Sequence, residues 1–208
     1  MDCKLETTSH GVQLVTPLGE LFLDFVLDKK NYLRPLPLGK SELIAKAVGM
    51  AKGYRDVVDA TAGLAQDAIV LARLGCKVRA VERSPWIFPL LEDAYRRVRP
   101  MDLEWPERLQ FINSNSTKYL RELSESERPE VVYLDPMYPE KKKSALPRKE
   151  MQIFREVIGG DEDVMELFQA ARAAAKVRVV VKRPVHAPAL SEDFKHQYEG
   201  KAVRFDVY

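Results

Sequence analysis

Apolar positions along this chain follow two rhythms that take turns. Short apolar runs bounded by turn formers alternate with stretches in which apolar residues recur every three or four positions. Val12, Leu14, Leu21, Leu23 and Phe25 alternate with their neighbours around Pro17-Leu18-Gly19, which predicts a β-hairpin. Residues 31–40, with Pro35, Pro37 and Gly39, must be loop. From Ser41, an N-cap residue type, Leu43, Ile44, Ala47, Val48 and Ala51 fall on one helical face. A strand over 56–59 then enters the turn Ala60-Thr61-Ala62-Gly63-Leu64-Ala65, and the helix that follows over 66–74 is stopped by Gly75. A strand over 78–81 ends on Glu82, and Ser84-Pro85 opens a helix toward Arg97. Strands over 109–112 and 131–134 flank a short helix at 117–123. Asp161 is placed to cap a helix over 164–175, and a strand over 177–181 precedes Lys182-Arg183-Pro184. Two alternating runs about Gly200, within 194–208, predict a closing antiparallel pair.

Strands that alternate with helices predict an α/β fold with a mostly parallel sheet covered on both faces. The expected division is an N-terminal hairpin and loop extension over 1–40, followed by one α/β domain over 41–208. Ligands of such sheets bind beyond the carboxyl ends of the strands, near the point where the strand order reverses. The polar motifs of this chain all fall at those ends, and that agreement argues for an enzyme.

Composition narrows the picture mainly by exclusion. The 33 Lys and Arg nearly balance 31 Asp and Glu over 208 residues, so net charge says little about partners. Cys3 and Cys76 lie far apart with no Cys-x-x-Cys or Cys-His spacing, which argues against a disulfide framework and a metal site. His10, His186 and His196 are scattered and read as surface or turn residues. No apolar signal core follows Met1, and no apolar stretch approaches a membrane span, so a cytoplasmic protein is expected.

The first strand-turn-helix carries the clearest ligand signal. Asp59 ends the strand, Gly63 lets the backbone approach a ligand, and Gln66-Asp67 open the helix. Glu82, 19 residues beyond Gly63, ends the next strand, where a carboxylate can chelate ribose hydroxyls. A dinucleotide site would want three glycines so that a pyrophosphate could reach the helix start, and this turn has one glycine and a Cβ at Ala65. Adenosine without a pyrophosphate, as in S-adenosylmethionine, fits better than NAD(P). After the third strand, Asn113-Ser114-Asn115-Ser116 can contact adenine or form a turn and helix cap, and the two readings are even.

Asp135-Pro136-Met137-Tyr138-Pro139 follows Val131-Val132-Tyr133-Leu134 directly. A carboxylate, a rigid proline and an aromatic ring at a strand's carboxyl end suit a planar base with an exocyclic amine. Asp135, or the carbonyl beside Pro136, can accept the amine hydrogens, and Tyr138 can stack on the base. The bland alternative is a strand-ending turn. The next ten residues carry five cations, Lys141, Lys142, Lys143, Arg148 and Lys149, against the one acid Glu140. Such a run is either a solvated surface or a phosphate-contacting loop. Lys182 and Arg183 again put charge at the ligand side.

These blocks resemble the ribosomal RNA small subunit methyltransferase J family. The resemblance rests on Val57-Val58-Asp59-Ala60-Thr61-Ala62-Gly63-Leu64, Val81-Glu82-Arg83-Ser84-Pro85, Tyr133-Leu134-Asp135-Pro136-Met137-Tyr138-Pro139, Lys142-Lys143-Ser144-Ala145-Leu146 and Val179-Val180-Val181-Lys182-Arg183-Pro184. It implies a class I, Rossmann-like methyltransferase fold with a seven-stranded sheet and one antiparallel strand near the C-terminus. It also implies an S-adenosylmethionine-dependent enzyme that methylates the exocyclic N2 of a guanosine in 16S rRNA. Cofactor contacts then fall on Gln66, Asp67, Glu82, Arg83, Asn115, Ser116 and Asp135. The chain departs from the family pattern at Ala65 and Gln66, at Asn115, and across 31–40. An adenine-N6 methyltransferase acting on DNA or RNA, and an RNA-binding protein without catalysis, are the other readings.

Overall fold

In the computed structural model, which describes residues 2–27, 32, 42–137, 149–158 and 163–208, the chain opens on three antiparallel strands. These are β1 (Lys4–Thr8), β2 (Gly11–Thr16) and β3 (Gly19–Phe22), in the order β1-β2-β3. β2 and β3 are the expected hairpin. β1 adds a strand that the apolar pattern did not announce, because Lys4-Leu5-Glu6-Thr7-Thr8 holds a single apolar residue. Its backbone nevertheless pairs with β2 from Lys4↔Val15 to Thr8↔Gly11. Leu14, Leu21, Leu23 and Phe25 are buried and join the same apolar cluster as the helices described next.

The remainder winds α1 (Leu43–Val48), β4 (Asp56–Asp59), α2 (Gln66–Arg73), β5 (Lys77–Glu82), α3 (Phe88–Val98), β6 (Leu109–Asn113), α4 (Ser116–Glu122) and β7 (Val131–Leu134). It continues through α5 (Lys149–Ile158), α6 (Val164–Ala174), β8 (Arg178–Pro184), β9 (His196–Glu199) and β10 (Val203–Val207). The large sheet has seven strands in the order β6-β5-β4-β7-β8-β10-β9. β4 to β8 are parallel, and β10 runs against both of its neighbours. Sequential strands step outward from β4 through β5 to β6, and the chain then returns to β7 on the other side of β4. That reversal places a crevice beyond the ends of β4 and β7.

Burial explains the central strands. Val57, Val58, Val131, Val132, Tyr133 and Leu134 are all 0% exposed, because helices cover both faces of the sheet. α2 ends as its sequence predicts: Gly75 takes φ 97°, and the N–H groups of Gly75 and Cys76 donate to Ala72 and Leu71 carbonyls at 3.0 Å.

Several boundaries differ from expectation. The helix after Ser84-Pro85 begins at Phe88, and the Ser84 hydroxyl caps the turn before it, accepting from Trp86 and Ile87 N–H at 3.3 Å. α6 has Asp163 at its N-cap position, whereas Asp161 lies outside the described residues, as do Ser41 and most of 31–40. β8 runs on to Pro184, so Lys182 and Arg183 stand inside the strand rather than beyond it. α5 was not foreseen. Among the described residues, no helix is long and apolar enough to cross a membrane.

Arg97 of α3 fastens the small sheet to the large one. Its guanidinium donates to Asp93 at 3.0 Å, to Asp24 at 2.8 Å and to the Leu23 carbonyl, and it lies 4.7 Å over the Phe22 ring. Asp93 in turn accepts from Val12 N–H in β2 at 3.0 Å.

Candidate functional site

A cavity of about 580 Å³ opens at the carboxyl ends of β4, β5, β7 and β8. Every cofactor-contact candidate named from the sequence lines it, as do Pro136, Lys182 and Arg183. Sheet register explains the convergence: Asp59 pairs across with Tyr133, and Tyr133 with Val180, so Lys182 stands one step further out on the same face.

The turn after β4 is built for close approach. Gly63 has φ 51°, and a Cβ there would come within 2.8 Å of the Phe154 ring from α5. Ala65 follows at φ 61°, the described non-glycine residue with positive φ, where its N–H still donates to Ala62 O at 2.7 Å. Glu82 is buried, with one oxygen accepting from Gly63 N–H at 3.0 Å and the other from Ser84 N–H at 2.7 Å. This carboxylate therefore ties the end of β5 to the glycine turn and retains lone pairs for further hydrogen bonds. Burial raises its pKa, against the pull of the Ser84 and Gly63 N–H groups.

A second set of charges lies at the β4–β7–β8 side. Lys182 Nζ donates to Asp67 Oδ2 at 2.6 Å and to Asp135 Oδ2 at 2.9 Å. Tyr133 OH donates to the same Asp67 oxygen at 2.5 Å, and Thr61 Oγ1 accepts from Asp135 N–H at 2.6 Å. Burial opposes the charge on Lys182, yet Asp67 and Asp135 outweigh it and the ammonium pKa is raised. Asp59, 1% exposed, accepts from Thr61 N–H at 3.0 Å. Burial first, and then the charges of Asp67 and Asp135, push its carboxyl up to about 8. Asp59, Asp67 and Asp135 thus gather around the Lys182 ammonium.

Two expectations change. Lys182 and Arg183 are not presented to a backbone phosphate: Lys182 is engaged by two carboxylates, and Arg183, 5% exposed, donates to Pro188 O at 3.0 and 3.2 Å. Asn115 serves as the cap of α4, accepting from Lys118 N–H at 3.0 Å, and it also lines the cavity. Lys149 opens α5 with its side chain lying across Gly19 of β3. Tyr138, Lys141, Lys142, Lys143 and Arg148 lie outside the described residues.

Sequence reasoning missed one wall of the cavity, formed by Met151, Phe154 and Ile158 of α5. Their spacing is helical, so the signal was present but hidden by the basic run before it. It also passed over Thr61 and His186, which line the cavity from turns. Among the described residues, no group of three or more His, Cys, Asp or Glu is placed to hold a metal ion.

S-adenosylmethionine suits this donor set. It carries a sulfonium and an ammonium against one carboxylate, and the acids gathered at the ends of β4, β5 and β7 complement that net positive charge. A doubly wound sheet with this turn, this acid at the end of β5 and this charge balance defines a class I S-adenosylmethionine-dependent methyltransferase. A family model described as "Putative SAM-dependent methyltransferase" matches residues 2–208. The chain is 48% identical over 197 residues to ribosomal RNA small subunit methyltransferase J of Pectobacterium atrosepticum, covering 92% of this chain and 78% of that one. It is 45% identical over 207 residues to the protein of the same name from Thioalkalivibrio sulfidiphilus, covering 96% and 81%. The crystal structure of a SAM-dependent methyltransferase from Neisseria gonorrhoeae superposes with a TM-score of 0.73 at 36% identity, covering 95% of this chain and 78% of that one. The chain belongs to the ribosomal RNA small subunit methyltransferase J family.

Proposed function

We propose that this enzyme methylates the exocyclic N2 amine of a guanosine in 16S rRNA of the small ribosomal subunit. The observation that carries the reading is Asp135-Pro136 at the end of the fully buried β7, on the cavity wall beside the β4 turn. The curated relatives are named as small subunit ribosomal RNA methyltransferases, which supports the substrate class. The guanine N2 target is what the resemblance in the Asp135-Pro136-Met137-Tyr138 block implies.

When bound, S-adenosylmethionine supplies a methyl group on a sulfonium sulfur, which keeps the electron pair of the broken bond as a neutral thioether. Gln66, Asp67, Glu82, Arg83, Asn115 and Ser116 hold the cofactor, with Glu82 on the ribose hydroxyls and Asp59 near the ammonium. The lone pair of guanine N2 is delocalised into the ring and attacks poorly until acceptors pull on its hydrogens. Asp135 and the carbonyl beside Pro136 are those acceptors. As the nitrogen–carbon bond forms, the amine sheds one proton to water at the cavity mouth. Tyr138 stacks on the extruded base, and Lys141, Lys142, Lys143, Arg148 and Lys149 meet the flanking phosphates. Much of the acceleration comes from holding the amine in line with the sulfur–carbon bond.

The test treats unmodified small subunits and free 16S rRNA with the enzyme and labelled S-adenosylmethionine, then digests the RNA for nucleoside mass mapping. N2-methylguanosine at one position is the expected product. Label found only in N6-methyladenosine, or in neither RNA, would overturn the proposal.

A further inference from the structure

We propose that Lys182 is a positioning residue: one half-buried ammonium, shared by the carboxylate that opens α2 and the carboxylate that meets the target base, keeps cofactor site and base site in register. The inference rests on the reading of Asp135 given above and extends it to a residue that touches neither reacting atom.

The geometry is that of a shared cation. Lys182 extends from β8 on the face where Phe205 of β10 is its cross-strand partner, an apolar neighbour that offers no charge. Two of its three N–H donors go to Asp67 at 2.6 Å and to Asp135 at 2.9 Å. Asp67 is fixed a second time by the Tyr133 hydroxyl, and Asp135 by its own N–H on Thr61 Oγ1. Asp67 stands on the cofactor side, at the start of the helix that follows the glycine turn. Asp135 stands on the base side. Holding Oδ2 of Asp135 orients the plane of its carboxylate, and that plane decides whether the target amine meets an acceptor.

The groups that face this ammonium include the carboxylates of Asp59 from β4, Asp67 from α2 and Asp135 from the end of β7, and the neutral Tyr133 hydroxyl binds the same Asp67 oxygen. Glu82 at the end of β5 is tied separately to Gly63 and Ser84. With the cation removed, three carboxylic groups crowd one crevice, and neighbouring carboxylates respond by sharing protons. A protonated Asp135 donates where it should accept. Lys182 therefore also offsets the repulsion between Asp67 and Asp135.

The test compares the parent enzyme with Lys182→Met, Lys182→Gln and Lys182→Arg. Single-turnover methyl transfer is followed from about pH 6.5 to about pH 8.5. Cofactor binding, which needs no RNA, is followed by calorimetry in buffers of different ionisation heat. The Met and Gln variants are expected to lose about 100-fold in rate at the acid end and to regain up to about tenfold per pH unit as the shared proton leaves. They should also release more protons than the parent on binding S-adenosylmethionine. Lys182→Arg should keep the parent's pH profile and proton count. In Asp67→Asn/Lys182→Met only one of the two bridged acids remains, and the extra proton release should disappear. Should Lys182→Met melt too low to assay, the Gln variant and this pair decide the question. A rate loss with an unchanged pH profile and unchanged proton release would show a merely structural lysine and overturn the proposal. A parent enzyme that binds cofactor but methylates no small-subunit RNA would defeat the proposed target instead, and the calorimetric arm would still judge Lys182.

Discussion

Two groups of carboxylates face opposite fates in this molecule. Asp24 and Asp93, which hold the N-terminal sheet to α3, have lowered pKa values. Burial pulls them up, but for Asp24 the Leu27 and Val26 N–H groups and Arg97 outweigh it, and for Asp93 the contacts of Arg96, Val12 N–H and Arg97 do. Asp59 and Glu82, which line the cavity, have raised pKa values because burial wins over the partners they have. The first group is complete within the protein and acts as a clamp. The second lies deeper, at the wall of the cavity, where its partners do not offset burial. A raised pKa in a cleft is informative here because the carboxylates of the clamp, Asp24 partly exposed and both paired with arginines, move the other way.

Substitutions on each side should separate the two roles. Asp135→Ala should lower methyl transfer to small-subunit RNA by at least about 100-fold, with a melting curve close to the parent's. Near-normal turnover would place the chemistry elsewhere. Arg97→Ala should do the reverse, costing about 3 kcal/mol in urea unfolding because Asp93 is left buried with a lost partner. An unchanged midpoint would show that the clamp is decorative. Gly63→Ala should weaken S-adenosylmethionine binding about tenfold, since the new Cβ meets Phe154 at 2.8 Å and φ 51° disfavours it. Calorimetric affinity equal to the parent's would remove the glycine turn from the cofactor site.

Asp59→Asn carries the smallest effect and sharpens the contrast most. The folded-state pKa of Asp59 is raised to about 8 from 3.8, so the native state holds a proton that the unfolded chain releases. Stability from this group is present below the unfolded value and is lost as pH rises through about 8. Without cofactor, the Asn variant should melt about 5 °C higher than the parent near pH 8.5, and close to the parent near pH 4. An equal gap at both pH values would mean that Asp59 is not the acid that goes uncompensated.

Much of the site was legible before any fold was known. Asp59, Gly63, Glu82 and Asp135 each sit where a strand ends or a helix begins, and in a parallel α/β sheet those ends share one side. The N-terminal hairpin was legible from Leu14, Leu21 and Phe25. β1 was not, because a polar strand pairs through its backbone and leaves no alternation to read. α5 was obscured by the cations before it.

Local pattern and residue type alone determined most of the elements, the glycine turn after β4 and the acid-bearing strand ends, since strand and helix periodicity are properties of neighbours in sequence. Only the tertiary structure decided that Lys182 belongs to Asp67 and Asp135 rather than to solvent, and that Arg97 joins two sheets. Those partners lie 47 to 115 residues apart for Lys182 and 73 residues apart for Arg97 and Asp24. Charge pairing over such separations depends on strand register and burial, which exist only once the sheet has formed.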